Sequence, residues 1–427
     1  MEIEAYEKIT DALLRWNLWG NLKEGLIERE DVERAIVLMK NKMALIILGI
    51  RRCGKSKFSI LLVREQKIEP RSIIINFEDP IVSSYIKEGA DLLDYLEMFS
   101  RNRFKPEIVI LDEPTVVEGW HRSVRTLLDT GFSNIVITGS NKSLLERDVS
   151  RVLGGRYIEL LLYPLSFREF LLFKGEKNVE NLAKRELLLN EYVHYGGFPA
   201  VVLSDEKHAI LSSYFNSIVV NDVALRINVR NIKKLEVVAR VLAENPATLL
   251  SFSRIAAAAG ISKERAESYV NAFEEAYYIT LIDKISPKTI EPIVTVKKIV
   301  LCDNGFHTLF YAGRGEKKGR LIENVVGLEL LRRYGKKNVF YHRSPEGYEV
   351  DYVVREGNRI SKLIQVVDNV SEKTIKREIN AIVKASDIFN TKNLEIITWD
   401  YEGERRFNKH AIKFVKLWNW LLESKKK

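Results

Sequence analysis

The stretch Met43–Phe58, MALIILGIRRCGKSKF, decides how this chain is read. Met43 to Leu48 are apolar without a break, the pattern of a short strand buried on both faces. Gly49 to Ser56, GIRRCGKS, then satisfies G-x-x-x-x-G-K-[ST] at every fixed position. Glycines let the backbone turn tightly and present several N–H groups to phosphate oxygens. A helix expected after Lys55 would point its N-terminal N–H groups and positive dipole end at the same anion. Lys55 supplies a mobile cation for the terminal phosphates, and the Ser56 hydroxyl is placed to ligate Mg²⁺. The residues expected to touch the nucleotide are Gly49, Cys53, Gly54, Lys55, Ser56 and Lys57.

Downstream, KFSILLVREQK continues as a helix, and Arg71 to Phe77, RSIIINF, reads as a second buried strand. EIVILDEP follows, with Ile108 to Leu111 as strand and Asp112 and Glu113 at its carboxyl end, the edge of a parallel sheet where ligands gather. Asp112 would hold the Mg²⁺ water shell and Glu113 would polarise the water attacking the γ-phosphate. Without the loop upstream, the same acids would read as a helix cap. A helix, HRSVRTLLDTGF, leads to NIVITGSN at 134–141, where Thr138, Ser140 and Asn141 end another core strand. Residues 1–42 read as helical, with Val32, Ile36 and Met39 at helical spacing. Trp16 and Trp19 read as core anchors, the alternative being walls of an adenine pocket.

A chain of 427 residues is too long for one core. Its 46% hydrophobic and 29% charged residues are those of a soluble globular protein. Cys53 and Cys302 cannot build a disulfide framework, which points to a reducing, cytoplasmic setting. MEIEAYEKIT lacks a basic region followed by an apolar run, so no secretory leader is expected. No apolar run is long enough to span a bilayer. The net charge of +9 is concentrated: Lys284–Lys427 holds 29 Lys and Arg against 18 Asp and Glu, whereas Met1–Asp283 holds 38 against 40. Such asymmetry belongs either to a Lys-rich solvated surface or to a surface that meets a polyanion.

Together GIRRCGKS, LDEP, EGW at Glu118–Trp120, ITGSN, LGGRYIELLLYPLSFREF and YGGFPAVV at Tyr195–Val202 resemble the AAA+ ATPases of archaea and bacteria that carry a C-terminal nuclease-like domain. The resemblance covers nearly the whole chain and implies ATP and Mg²⁺ as cofactors. It makes Asn141 the sensor. It also makes Arg156 the arginine on the γ-phosphate, acting in cis or from a neighbouring subunit of a homo-oligomer; the alternative for Arg156 is a structural salt bridge. Arg51 and Arg52 match the family pattern without a role that chemistry assigns.

Residues 165–230 read as a helical lid. In 231–285, KKLEVVARVLAE, a small-residue helix, the Gly260 turn and a helix from Lys263 form a helix-turn-helix pattern, with YYITLID as the strand of a wing. Lys263, Arg265, Ser268 and Asn271 would face a DNA groove, while Glu264, Glu267, Glu274 and Glu275 would repel phosphates. From 297 to 427 the strands and helices resemble the PD-(D/E)XK nuclease fold. That resemblance places Glu323 and Asp351 on acidic metal positions, Gln365 on the second acid and Val367 where the lysine belongs, with Lys362 or Asp368 as substitutes. These departures point to a degenerate domain.

The expectation is an α/β protein: a P-loop AAA+ core with a parallel sheet (1–164), a helical lid (165–230), a winged helix-turn-helix (231–285) and a small restriction-endonuclease-like α/β domain (297–427). Its function would be an ATPase that binds DNA. A regulatory or assembly switch working on proteins, and an ATP-dependent nuclease, are the alternatives.

Overall fold

The computed structural model describes residues 1–17, 26–132, 134–142, 150–229, 231–285, 292–311, 318–368 and 371–423. They form two compact units, Met1–Tyr163 with Glu275–Tyr277, and Pro164–Glu274 with Tyr278–Lys427.

The first unit is built on five strands: β1 Ala44–Leu48, β2 Ser72–Asn76, β3 Ile108–Asp112, β4 Asn134–Gly139 and β5 Tyr157–Leu161. All pair in parallel in the order β2-β3-β4-β1-β5. Every residue of β1, β2 and β3 is buried, which is why these strands are continuous Ile, Leu and Val runs rather than alternating ones. Each buried Ile or Leu contributes roughly 1.5–3 kcal/mol of apolar burial. Helices α1 Ile3–Leu14, α2 Val32–Met39, α3 Lys55–Glu65, α4 Pro80–Tyr85, α5 Gly89–Asn102 and α6 Trp120–Asp129 complete the layers. α3 packs on β3 and β4, and α1 on α4, α5 and β2. Register sets Asp112 beside Thr138 and Leu48 beside Gly139, so the ends of β3, β4 and β1 lie together. Trp16 departs from the expected core role: it is 40% exposed and its indole N–H donates to Asp79 Oδ2 at 3.1 Å. The Asp79 carboxylate also caps α4, so a polar partner at the surface outcompetes burial of the ring. Trp19 lies outside the described residues.

The second unit begins with helices Phe167–Phe173, Leu182–Tyr195, Pro199–Leu203 and Lys207–Ser217, the stretch read as a lid. Leu182–Tyr195 packs against helices Gly305–Phe310 and Lys318–Tyr334 of the same unit. Helix Ile232–Ala243 follows. Then Phe252–Ala259 ends on Gly260 in the left-handed region (φ +58°), and Lys263–Glu275 comes next. An eight-stranded sheet in the order β12-β13-β11-β10-β9-β8-β6-β7 holds the remainder. Its strands are β6 Ile279–Ile285, β7 Pro292–Leu301, β8 Val339–Arg343, β9 Glu349–Glu356, β10 Arg359–Val367, β11 Leu394–Thr398, β12 Gly403–Phe407 and β13 His410–Lys416. β6 pairs antiparallel with β7 and meets β8 at Lys284 and Tyr341. The strand expected as a wing is therefore an inner strand of the C-terminal sheet, and backbone hydrogen bonds cross the boundary expected at 285–297. Among the described residues no helix is long and apolar enough to cross a membrane.

Candidate nucleotide site and an acidic cluster in the second unit

The loop between β1 and α3 owes its path to two glycines. A Cβ on Gly49 (φ +155°) would lie 2.2 Å from the Leu162 carbonyl oxygen, and Gly54 caps α3 at φ +103°. Lys55, 7% exposed, donates from Nζ to the Gly49 carbonyl at 3.1 Å and lies 3.6 Å from Glu113 Oε1. Ser56 Oγ donates to the Asp112 carboxylate, 2.9 and 3.0 Å from its two oxygens. Thr138 Oγ1 also donates to Asp112 and accepts the Glu113 backbone N–H at 3.2 Å. Glu113 has a left-handed backbone (φ +54°), a strained conformation for a non-glycine residue, at the end of β3. Its Oε2 accepts from the Ser140 N–H at 3.3 Å. Burial pushes the Glu113 carboxyl above its ordinary range, and Lys55 pulls it back. Burial likewise raises the Cys53 thiol, so Cys53 packs as a neutral side chain inside the loop.

The loop residues and both acids thus stand at one sheet edge. Asn141, 9% exposed, is one residue beyond Ser140, the hydroxyl that touches Glu113. Lys57 is exposed on the first turn of α3. The Ser56 hydroxyl and the Asp112 carboxylate, already within hydrogen-bond distance, are hard oxygen donors of the kind Mg²⁺ takes, so the residues present fit that ion.

Arg156 does not join them. Its carbonyl accepts from Ala44 N–H at 3.1 Å at the amino end of β1, whereas the phosphate loop leaves the carboxyl end. Five residues of strand, about 13 Å, intervene. Its guanidinium pairs with Asp129 at the end of α6. The position shows the salt bridge that is the alternative reading of Arg156, and it does not bring the guanidinium to the phosphate loop of its own chain.

Sequence reading overlooked Arg29. It is 8% exposed, and donates from Nη1 to the Cys53 carbonyl at 3.1 Å and from Nη2 to the Tyr163 carbonyl at 2.9 Å. It thereby ties the loop to the chain leaving β5. No motif marks it: a lone arginine before an amphipathic helix looks like any surface charge.

In the second unit Glu323, Asp351 and Gln365 do come together, at a cavity of about 660 Å³. Their polar atoms are engaged by protein partners. Gln365, 1% exposed, spends its carbonyl oxygen on the Asp351 N–H at 2.7 Å and turns its amide NH₂ to the Glu349 carbonyl and the Glu378 carboxylate. Asp351 Oδ2 accepts from Val366 N–H at 2.9 Å. Lys298 of β7, 1% exposed, pairs through Nζ with Glu323 and lies 3.7 Å from Asp351 Oδ1. Burial alone would lower the Lys298 pKa, but Glu323 and Asp351 outweigh it and hold the ammonium charged. Neither expected substitute enters the cluster through an ion pair: Lys362 Nζ bonds Glu395 Oε1 at 2.7 Å, and the Asp368 Cβ lies beside Gly319. Among the described residues, no group of three or more His, Cys, Asp or Glu side chains is arranged to hold a metal ion.

Comparison with known proteins agrees with the first unit. Residues 41–171 match the model of an AAA domain, residues 186–312 a domain of unknown function (DUF8612), and residues 318–417 another (DUF4143). The uncharacterized protein MJ1544 of Methanocaldococcus jannaschii is 34% identical over 421 residues, covering 94% of this chain and 92% of that protein. An uncharacterized protein of Haemophilus influenzae is 30% identical over 420 residues, covering 94% of this chain and all of the other. Among solved structures, the Walker-type ATPase PABY2304 of Pyrococcus abyssi aligns over 67% of this chain and 97% of its own, at 16% identity and a TM-score of 0.46. The chain accordingly belongs to the family of these full-length relatives, with an AAA domain of the P-loop ATPase kind in its first unit.

Proposed function

We propose that the protein is an ATPase whose nucleotide cycle controls its hold on DNA. The observation that carries the ATPase part is the convergence of Lys55, Ser56, Asp112 and Glu113 at the carboxyl edge of the sheet. Loop N–H groups and the α3 N-terminus would receive the phosphates, with Lys55 on the terminal ones. Ser56 and Asp112 would hold Mg²⁺, which supplies positive charge against the phosphate oxygens. Glu113 is the group to polarise water. Ser140 holds that carboxylate, and Thr138 fixes both the Asp112 side chain and the Glu113 backbone. Asn141 would report on the γ-phosphate from the same turn, and Arg156 would reach the phosphates of a neighbouring subunit.

The DNA part rests on charge and exposure. Lys263, Arg265, Ser268 and Asn271 are all exposed on helix Lys263–Glu275, after a glycine turn of the kind a helix-turn-helix uses. The last third of the chain carries the basic excess. Exposed Glu264 and Glu267 share that helix, so neighbouring basic surface would have to outweigh them. The geometry around Gln365 argues against the nuclease alternative.

The experiment measures duplex DNA binding across a salt series, with and without ATP, for the wild type, Lys55→Ala and Lys263→Glu/Arg265→Glu. The proposal expects a linear fall of log affinity with log salt. It also expects an ATP effect lost in Lys55→Ala and a smaller salt slope in the double variant. Salt-independent affinity, or none at low salt, would refute the DNA reading and leave hydrolysis to be judged by itself.

A further inference from the structure

The acidic cluster of the second unit does not fit a divalent metal, and the misfit has a definite cause. We infer that the Lys298 ammonium is the resident cation of this cluster, standing where a metal ion would bind, so that the C-terminal α/β domain works without one.

Geometry is the first support. Lys298 Nζ pairs with Glu323, donates to the Asp351 backbone carbonyl at 3.2 Å, and lies 3.7 Å from Asp351 Oδ1 and 3.8 Å from Glu349 Oε1. It also sits 4.9 Å from the centroid of the Tyr352 ring, on the face that attracts cations. A divalent ion drawing on Glu323 and Asp351 would have to share them with a fixed positive charge. At 1% exposure the lysine has no solvent to retreat into.

Charge gives the second support. A divalent ion favours an added carboxylate, whereas a single ammonium among Glu323, Glu349 and Asp351 is already outnumbered. A neutral side chain at position 365 is what a monovalent cation tolerates, and Gln365 spends both amide ends on protein partners. The cation need at position 367 disappears as well, because β7 supplies the charge, and Val367 is free to be buried in the core. One substitution of cation therefore accounts for both departures from the nuclease pattern.

Manganese binding to full-length protein stripped of nucleotide tests this, read by electron paramagnetic resonance for the wild type, Asp351→Asn, Lys298→Ala and the double variant. The wild type and Asp351→Asn should bind Mn²⁺ alike. Lys298→Ala should gain one further site per chain, with a dissociation constant on the order of 10⁻⁴–10⁻³ M as at weak oxygen-ligand sites, and the double variant should lose it. Added Mn²⁺ should raise the melting midpoint of Lys298→Ala more than that of the wild type. A wild-type Mn²⁺ site abolished by Asp351→Asn would overturn the inference, and so would a folded Lys298→Ala that gains no site. If Lys298→Ala does not fold, the comparison of wild type with Asp351→Asn decides alone.

Discussion

Replacing Arg29 with alanine tests whether the phosphate loop is held from outside its own motif. The guanidinium makes two charge-assisted hydrogen bonds, to the Cys53 and Tyr163 carbonyls, at a position only 8% exposed. Such bonds are worth about 1.5–3 kcal/mol each, so losing these two costs up to about 3–6 kcal/mol. Water entering the vacated volume satisfies part of what the carbonyls lose. If half of that cost falls on holding the loop in its binding shape, nucleotide affinity drops by about 1.5–3 kcal/mol, or roughly 10- to 150-fold. Titration of a fluorescent ATP analogue reads the affinity, and urea unfolding of the same samples reads global stability. Arg29→Lys retains the charge but replaces a planar fork with a point donor, and should fall between wild type and Arg29→Ala. A folded Arg29→Ala that binds nucleotide within twofold of wild type would refute the bracing role, whatever its urea midpoint.

Two further outcomes follow from the described geometry. Glu113→Gln should bind nucleotide as the wild type does while hydrolysing it about 10²–10⁴-fold more slowly, because only the water-polarising group is removed; equal turnover in a phosphate-release assay would sink that assignment. Burial pushes the Asp303 carboxyl up to about 7, from an ordinary 3.8, although the Gly197, Gly305 and Phe198 N–H groups favour its charged form. The folded state thus keeps a proton that the unfolded chain releases. This contribution is full below pH 3.8 and is lost as pH rises to about 7, a fall of at most about 4 kcal/mol. Chemical denaturation across that window should show wild-type stability declining relative to Asp303→Asn, and parallel profiles would exclude Asp303 as the source.

The first unit was legible because its chemistry is local. Buried parallel strands are short unbroken apolar runs, and β1 to β4 fall where Met43–Leu48, Arg71–Phe77, Ile108–Leu111 and 134–141 were read. Asp112 and Glu113 can be placed at the end of β3 from sequence because a loop motif and a strand end are both recognisable without knowing which strands are neighbours. Arg156 stays open in sequence between phosphate contact and salt bridge for the complementary reason. Its role depends on which end of the sheet it occupies, and only the pairing of Tyr157 with Ala44 reveals that. Lys298 was passed over because its meaning lies in Glu323 and Asp351, which are distant in sequence and joined only by the sheet. The sequence could not show that β6, read as a wing strand, also meets the C-terminal sheet, because its second partner, β8, follows long after it.

The YGGFP and DNGF stretches show how motifs that look separate can be one joint. A Cβ on Gly196 would fall 1.8 Å from Asp303 Oδ1, and one on Gly197 would fall 2.3 Å from the Leu165 carbonyl, so close approach alone requires both glycines. Asp303 then accepts the Gly197 N–H at 2.7 Å and the Gly305 N–H at 2.8 Å. Asn304 donates to the Val193 and Leu321 carbonyls, and Asn324 bonds both the N–H and the carbonyl of Leu301. All three polar side chains are at least 98% buried and satisfied, a state that fixes one arrangement because any other leaves groups unpaired. Leu301 ends the strand that carries Lys298, and Asn324 adjoins Glu323. The clasp that seats helix Leu182–Tyr195 therefore also sets the register in which the lysine meets the acid. The YGGFP stretch is accounted for by this packing, with no need to place it in the nucleotide chemistry.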